Sequence, residues 1–130
     1  MSIAECSAGD DGPPPHAHSD TQESFFVLHG AFDVCTGFDN QSKVSLQPGD
    51  LIAVPRQVMR TFVNTSGKPA RLLVFIQGPA GMADTVSYSR KIGAEFERRF
   101  GHAAIEEYAK TRMTFDAEEG LGRYRVVIGG

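Results

Sequence analysis

Apolar and polar residues alternate in short runs through residues 1–79, and from residue 88 the apolar spacing lengthens to four. Residues 23–28 put Glu23, Phe25 and Val27 on one side and Ser24, Phe26 and Leu28 on the other, the pattern of a strand covered on both faces, and Gly30 closes it with a turn. Residues 2–8 predict a short first strand, and the stretch Gly9-Asp10-Asp11-Gly12-Pro13-Pro14-Pro15 behind it cannot hold a ladder. Residues 31–36 set Phe32 and Val34 against Asp33 and Cys35; after turn residues 37–40 comes a run at 43–46, so 22–46 reads as a meander. Pro48-Gly49-Asp50 leads into the strand 51–54, which Pro55 stops, and a further strand at 58–63 places Arg60, Phe62 and Asn64 on one face. Residues 71–77 form the most apolar strand, and Gly78-Pro79-Ala80-Gly81 ends the β region. Short strands with Gly and Pro turns at this interval predict an antiparallel sandwich or barrel.

Ile92, Phe96, Phe100, Ala104 and Tyr108 recur with charges between them, a helical stripe that Gly101 divides into two helices. That stripe is expected to pack on the sheet or on a second subunit. Residues 114–122 are acidic and contain glycine, which predicts a loop, and 124–128 predict a last strand.

Composition narrows the function classes. At 130 residues the chain makes about one domain, and 41% hydrophobic residues place it among folded proteins. A net charge of −3 without a basic cluster argues against nucleic acid as a partner. No run approaches the roughly 20 apolar residues of a membrane span, and no basic start followed by an apolar run is present, so a cytoplasmic protein is expected. Cys6 and Cys35 do not make a disulfide framework, and in a cytoplasmic protein the Asn-x-Ser triplets at Asn40 and Asn64 carry no weight.

Chemistry concentrates at one stretch. In an extended segment His16 and His18 lie on the same side, and Pro13 to Pro15 stiffen the approach to them. Two imidazoles and the Glu23 carboxylate form the set that suits a divalent transition metal with open positions. His29, beside the Gly30 turn, suits a surface or subunit contact, His102 belongs to the helical tail, and Cys35 suits a buried structural thiol. Phe25, Phe62 and Phe75 are expected in the core or in a pocket wall.

These residues line up with a family. His16, His18, Glu23 and Gly30 match G-x5-H-x-H-x3,4-E-x6-G, the first motif of the cupin superfamily, except that Asp10 holds the place of the opening glycine. The second motif, G-x5-P-x-G-x2-H-x3-N, stands as Gly49, Pro55, Gln57, Arg60 and Asn64, so Gln57 replaces a glycine and Arg60 a histidine. The chain resembles single-domain cupins of the quercetin-dioxygenase-like type over about residues 3–79. The resemblance implies a mainly β fold, a single antiparallel cupin-type β-barrel (jelly roll) at 1–79, with a C-terminal helical extension at 80–130. It also implies a metal site of His16, His18 and Glu23 for iron, nickel, zinc or manganese, with Phe25, Gln57, Phe62 and Phe75 around a substrate pocket.

Arg60 is the departure that matters, because a guanidinium keeps its charge and ligates no metal. Either it pairs with Glu23 and replaces the metal in a non-catalytic small-molecule-binding or sensing protein, or it faces an open position as a catalytic group while the other three hold the metal in a dioxygenase-like enzyme. Both readings keep a small-molecule ligand and exclude nucleic acid and membrane as partners. An apolar strand and an apolar-striped tail leave faces to cover, so a homodimer is expected.

Overall fold

A computed structural model describes residues 1–37, 40–79 and 84–117, and the strand expected at 124–128 lies outside them. The elements follow as β1 (Ser2–Cys6), β2 (His16–His18), β3 (Gln22–His29), β4 (Phe32–Thr36), β5 (Ser42–Leu46), β6 (Leu51–Val54), β7 (Arg60–Asn64), β8 (Ala70–Gln77), β9 (Val86–Ser89), α1 (Arg90–Phe100), α2 (His102–Lys110) and β10 (Met113–Ala117). They build two sheets, one in the order β1-β8-β3-β6 and the other β10-β9-β2-β7-β4-β5. The expected jelly-roll fold is present, as two open sheets face to face instead of a closed ring.

Alternation decides what lies between the sheets. On β3, Phe25 and Val27 point inward opposite Val74 and Leu72 of β8, with Ile52 of β6 across from Phe25, and these meet Phe32, Val34 and Leu46 from the other sheet in one buried cluster. Residues one position out of phase face away: Phe26 pairs with Leu73 and Ser24 with Phe75 on the outer surface of the four-stranded sheet.

Three sequence expectations need correction. The run 22–46 is not a meander, because β3 and β4 lie in different sheets and only β4 and β5 form a hairpin. Gly30 makes the crossing with φ 88°, where a Cβ would stand 2.5 Å from the Ala70 Cβ. Backbone conformation and close approach both demand glycine there. Of the loop expected at 114–122, residues 114–117 belong to a strand and 118–122 lie outside the described residues: β10 runs parallel to β9, and its Phe115 packs on Gly93 of α1 and on Tyr88. Tertiary pairing overrides the acidic, turn-like composition that follows it. The strand expected at 58–63 begins at Arg60, since the preceding Gln57 holds φ 63°.

The tail splits at Gly101 as its sequence predicts, with Ser89 capping α1 by accepting from the Ile92 N–H at 3.2 Å. Ahead of the helices, β9 pairs along β2, His16 with Tyr88 and His18 with Val86. Both helices pack against the β9–β10 pair. The sheet that carries the two histidines is thus extended by residues from the tail. None of the described helices is long and apolar enough to cross a membrane.

Candidate metal centre

Three strands bring the polar residues together. His16 and His18 are buried at the edge of the sandwich interior on β2, Glu23 opens the inward row of β3, and Arg60 on β7 lies directly across from His16. Glu23 Oε2 stands 3.4 Å from His18 Nε2 and 3.8 Å from His16 Nε2. Two donors each about 2.1 Å from one ion are about 3.0–3.4 Å apart, so a small contraction converts this cluster into a coordination face. The ligand atoms of His16, His18 and Glu23 all fall within 4.8 Å of one another.

Groups behind the imidazoles fix their orientation. His16 Nδ1 lies 2.9 Å from the Pro14 carbonyl, to which it donates, and this turns Nε2 to Glu23's side. His18 Nδ1 lies 3.5 Å from Asp84 Oδ2, within ion-pair reach but without a hydrogen bond. Asp84 is a hub: its carboxylate accepts from Ser19 Oγ at 2.5 Å, Thr21 Oγ1 at 2.5 Å and the backbone N–H groups of Asp20, Thr21 and Thr85. Burial pushes its carboxyl up, and these donors outweigh the push and hold it at about 2. A carboxylate behind a histidine is the arrangement that orients metal-binding imidazoles.

Glu23 itself accepts no hydrogen bond on Oε2 within normal geometry. Burial raises its pKa, and the attraction of His16 and His18 prevails and holds it at about 2, so it is a carboxylate in the folded protein. A buried carboxylate needs a cation. Arg60 supplies one only in part: its Nε is 3.8 Å from Glu23 Oε2, while Nη2 donates to the carbonyls of Pro55 at 2.7 Å and Val54 at 3.2 Å. The bidentate pair expected under the metal-free alternative does not form. At 1% exposure Arg60 is the largest fully buried side chain among the described residues, and its Nε and Nη1 have no hydrogen-bond partner among them. Burial lowers its pKa to about 10 against the raising effect of Glu23 and Asp84, so it stays charged at neutral pH.

The approach to the site is braced by residues of the same motifs. Thr61 Oγ1 donates to the Pro13 carbonyl, and Asp10, in the place of the family's opening glycine, accepts from the Gly12 N–H at 2.8 Å. A Cβ on Gly12 would meet the Phe62 carbonyl at 2.2 Å. Gln57 keeps the left-handed turn that a glycine would favour, and its N–H donates to the His18 carbonyl at 2.7 Å. Asn64 is a staple, donating to the Ser7 and Lys68 carbonyls.

A family profile for the cupin domain matches residues 3–76, more than half of the chain. The chain belongs to the cupin family. Cupins of known structure share its fold: a sugar phosphate isomerase from Silicibacter pomeroyi is 27% identical with a TM-score of 0.56, over 67% of this chain and 54% of that one. A cupin domain from Schizosaccharomyces pombe is 18% identical with a TM-score of 0.54, over 75% of this chain and 58% of that one. An oxalate oxidase in complex with the substrate analogue glycolate is 21% identical with a TM-score of 0.53, over 58% of this chain and 40% of that one. The matched part spans about half the length of these structures, and no curated protein matches the chain.

The expected pocket wall is placed differently in this cupin. Phe25 is 1% exposed within the core, and Phe62 packs on it and on Phe32 with ring centroids 5.6 and 6.1 Å apart. Phe75 faces outward opposite Ser24, and the Gln57 side chain is exposed. A recess of about 250 Å³ is lined instead by Pro14, Tyr88, Ile92, Phe96, Tyr108, Met113 and Phe115. Tyr88 links it to the polar site, its ring centroid 5.6 Å from that of His16. Asp84 and these aromatic residues carry no local motif, and only the spacing of Ile92, Phe96 and Tyr108 marks any of them in the sequence.

Proposed function

We propose that the cluster is a divalent-metal centre held by His16, His18 and Glu23, and that the protein is a metal-dependent, dioxygenase-like oxidoreductase acting on a small organic molecule. The observation that carries this reading is the convergence of the donors: the Nε2 atoms of both histidines stand 3.4 and 3.8 Å from one buried carboxylate oxygen, with His16 held from behind by the Pro14 carbonyl and the Asp84 carboxylate 3.5 Å from His18 Nδ1. A two-histidine, one-carboxylate face leaves coordination positions open, and a bound ion supplies Lewis acidity or, as iron, oxygen chemistry. Arg60, at the place of the family's fourth ligand, holds a fixed positive charge beside those positions and orients an anionic group of the substrate.

The test is a calorimetric titration of chelator-treated protein with zinc, nickel and ferrous iron under anaerobic conditions, followed by oxygen uptake of the iron form with small aromatic acids. Saturable binding lost in the His16→Gln, His18→Gln double variant supports the centre. Absence of saturable binding overturns it. A second reading has its own observation: Arg60 Nε already stands 3.8 Å from Glu23, so a metal-free small-molecule-binding or sensing cupin is favoured if metal uptake fails while ligands still bind.

The assembly proposed is a homodimer through the outer surface of the four-stranded sheet, where Ile3 is 51% and Leu51 is 54% exposed near half-buried Phe26, Leu73 and Phe75. A monomeric mass in light scattering at micromolar concentration contradicts it. Two free, buried cysteines fit the proposed cytoplasmic location.

A further inference from the structure

Across the inner face of the six-stranded sheet the residues form a row. Arg60 pairs with His16, His16 pairs with Tyr88, and the Tyr88 ring stacks on Phe115 at 5.7 Å. Neighbouring strands are about 4.8 Å apart, so the Arg60 and Tyr88 backbones lie about 10 Å from each other, with a metal ligand between them. One end of the row is a buried cation with two N–H groups, Nε and Nη1, that find no acceptor among the described residues. The other end is an aromatic wall that α1 extends, Phe96 stacking on Phe115 at 5.6 Å and meeting Tyr108 edge-on at 4.9 Å.

Size and charge select the occupant. The recess of about 250 Å³ falls just below the usual range of about 300–1,000 Å³ for ligand pockets, which suits one ring and not a polycyclic molecule. Charge is judged on the reading of the triad as a metal centre: a divalent ion and Arg60 bring three positive charges, Glu23 and Asp84 two negative ones. A monoanion completes the balance, and in a buried site an uncompensated charge is costly.

We propose that this cupin binds a single-ring aryl carboxylate, its carboxylate facing Arg60 and its ring lying against Tyr88, Phe96 and Phe115. The recess is built by residues 88–115 together with Pro14, and all but Pro14 lie beyond the part of the chain that matches the family. Substrate choice therefore resides in the extension, and the metal in the motif.

The test titrates benzoate, acetate and benzamide into the full chain, zinc-loaded and metal-free, and follows the methionine methyl resonances. Met113 lines the recess, whereas Met1 is 83% exposed ahead of β1 in the other sheet and serves as the internal control. Benzoate is expected to move Met113 and not Met1, to bind at least tenfold more tightly than acetate or benzamide, and to bind more tightly with zinc present. Phe115→Ala and Arg60→Gln should each weaken benzoate at least tenfold without weakening zinc. Equal affinities for the three probes, or a Met113 signal that stays still, overturn the assignment even if zinc binds. Selective benzoate binding without zinc uptake leaves the recess assigned and removes the metal reading instead.

Discussion

The polar and aromatic ends of the site are built by different means. At the polar end the groups are held by directed bonds, His16 to Pro14 and Arg60 to Pro55 and Val54 close by in the chain, and Asp84 to Ser19 and Thr21 more than sixty residues away. At the aromatic end Tyr88, Phe96, Tyr108 and Phe115 hold one another by ring contacts at 4.9–5.7 Å, with freedom to shift. Directed bonds between buried charges tolerate few substitutions, because losing one partner strands the other. Dispersion contacts fade gradually with displacement. The difference suits the proposed roles, a fixed metal centre and an aromatic surface that adapts to its ligand.

The largest expected effect strikes the polar end. Glu23→Gln removes the carboxylate that faces Arg60 and a proposed metal ligand together, and chemical denaturation of the metal-free variant should show a loss of about 3–5 kcal/mol. An unchanged unfolding midpoint would mean that Glu23 answers no buried charge. The same carboxylate gives a pH signature. Its folded pKa of about 2 lies below the ordinary 4.5, so the stability it supplies is complete above pH 4.5 and disappears as pH falls towards 2. In Glu23→Gln the acid limb of a stability curve should flatten over that window.

Asp84→Asn comes next. It leaves His18 without its outer carboxylate and weakens the hydrogen bonds around it; zinc affinity should fall about 10- to 100-fold, measured by competition with a chelator. Arg60→His sharpens the comparison in the opposite direction: it removes a repelling charge and adds an imidazole, so zinc or nickel affinity should rise by at least about tenfold. Identical titration curves for this variant and the native chain would show that Arg60 does not act on the site.

The smallest effect belongs to the aromatic end. Gly93→Ala places a Cβ 2.5 Å from the Phe115 Cβ. A helix gains about 1 kcal/mol from alanine over glycine, while the overlap costs about 1–3 kcal/mol, so the net loss should be about 1 kcal/mol in thermal unfolding. Zinc affinity should not change. A loss as large as that of Glu23→Gln would mean that both ends are equally rigid.

How much of this was legible in the sequence follows the same division. Alternation places Glu23, Phe25 and Val27 inward, and the motif spacing picks out His16, His18, Glu23 and Arg60, because their positions are set by period and by local turns. The sheet to which each strand belongs is not local. Gly30 signals a turn equally well for a meander and for a crossing, and its contact with Ala70 decides between them only in the folded chain. β10 was hidden because its pairing with β9 is long-range and parallel, and its inward Phe115 falls among acidic residues. Asp84 was hidden for a related reason: a carboxylate becomes a hub only when Ser19 and Thr21 arrive from the other end of the domain. Phe75 falls one step out of phase with the core or pocket wall expected of it, since it pairs with Ser24 while Ile76 pairs with Glu23.

The centre itself is tested most directly by elemental analysis of the protein purified without chelator, alongside the His16→Gln, His18→Gln double variant. Bound divalent metal close to one ion per native chain and none in the variant is the expected result. Metal-free native protein that also takes up no ion when one is supplied, or equal metal in both proteins, would contradict the assignment of His16, His18 and Glu23 as a metal centre.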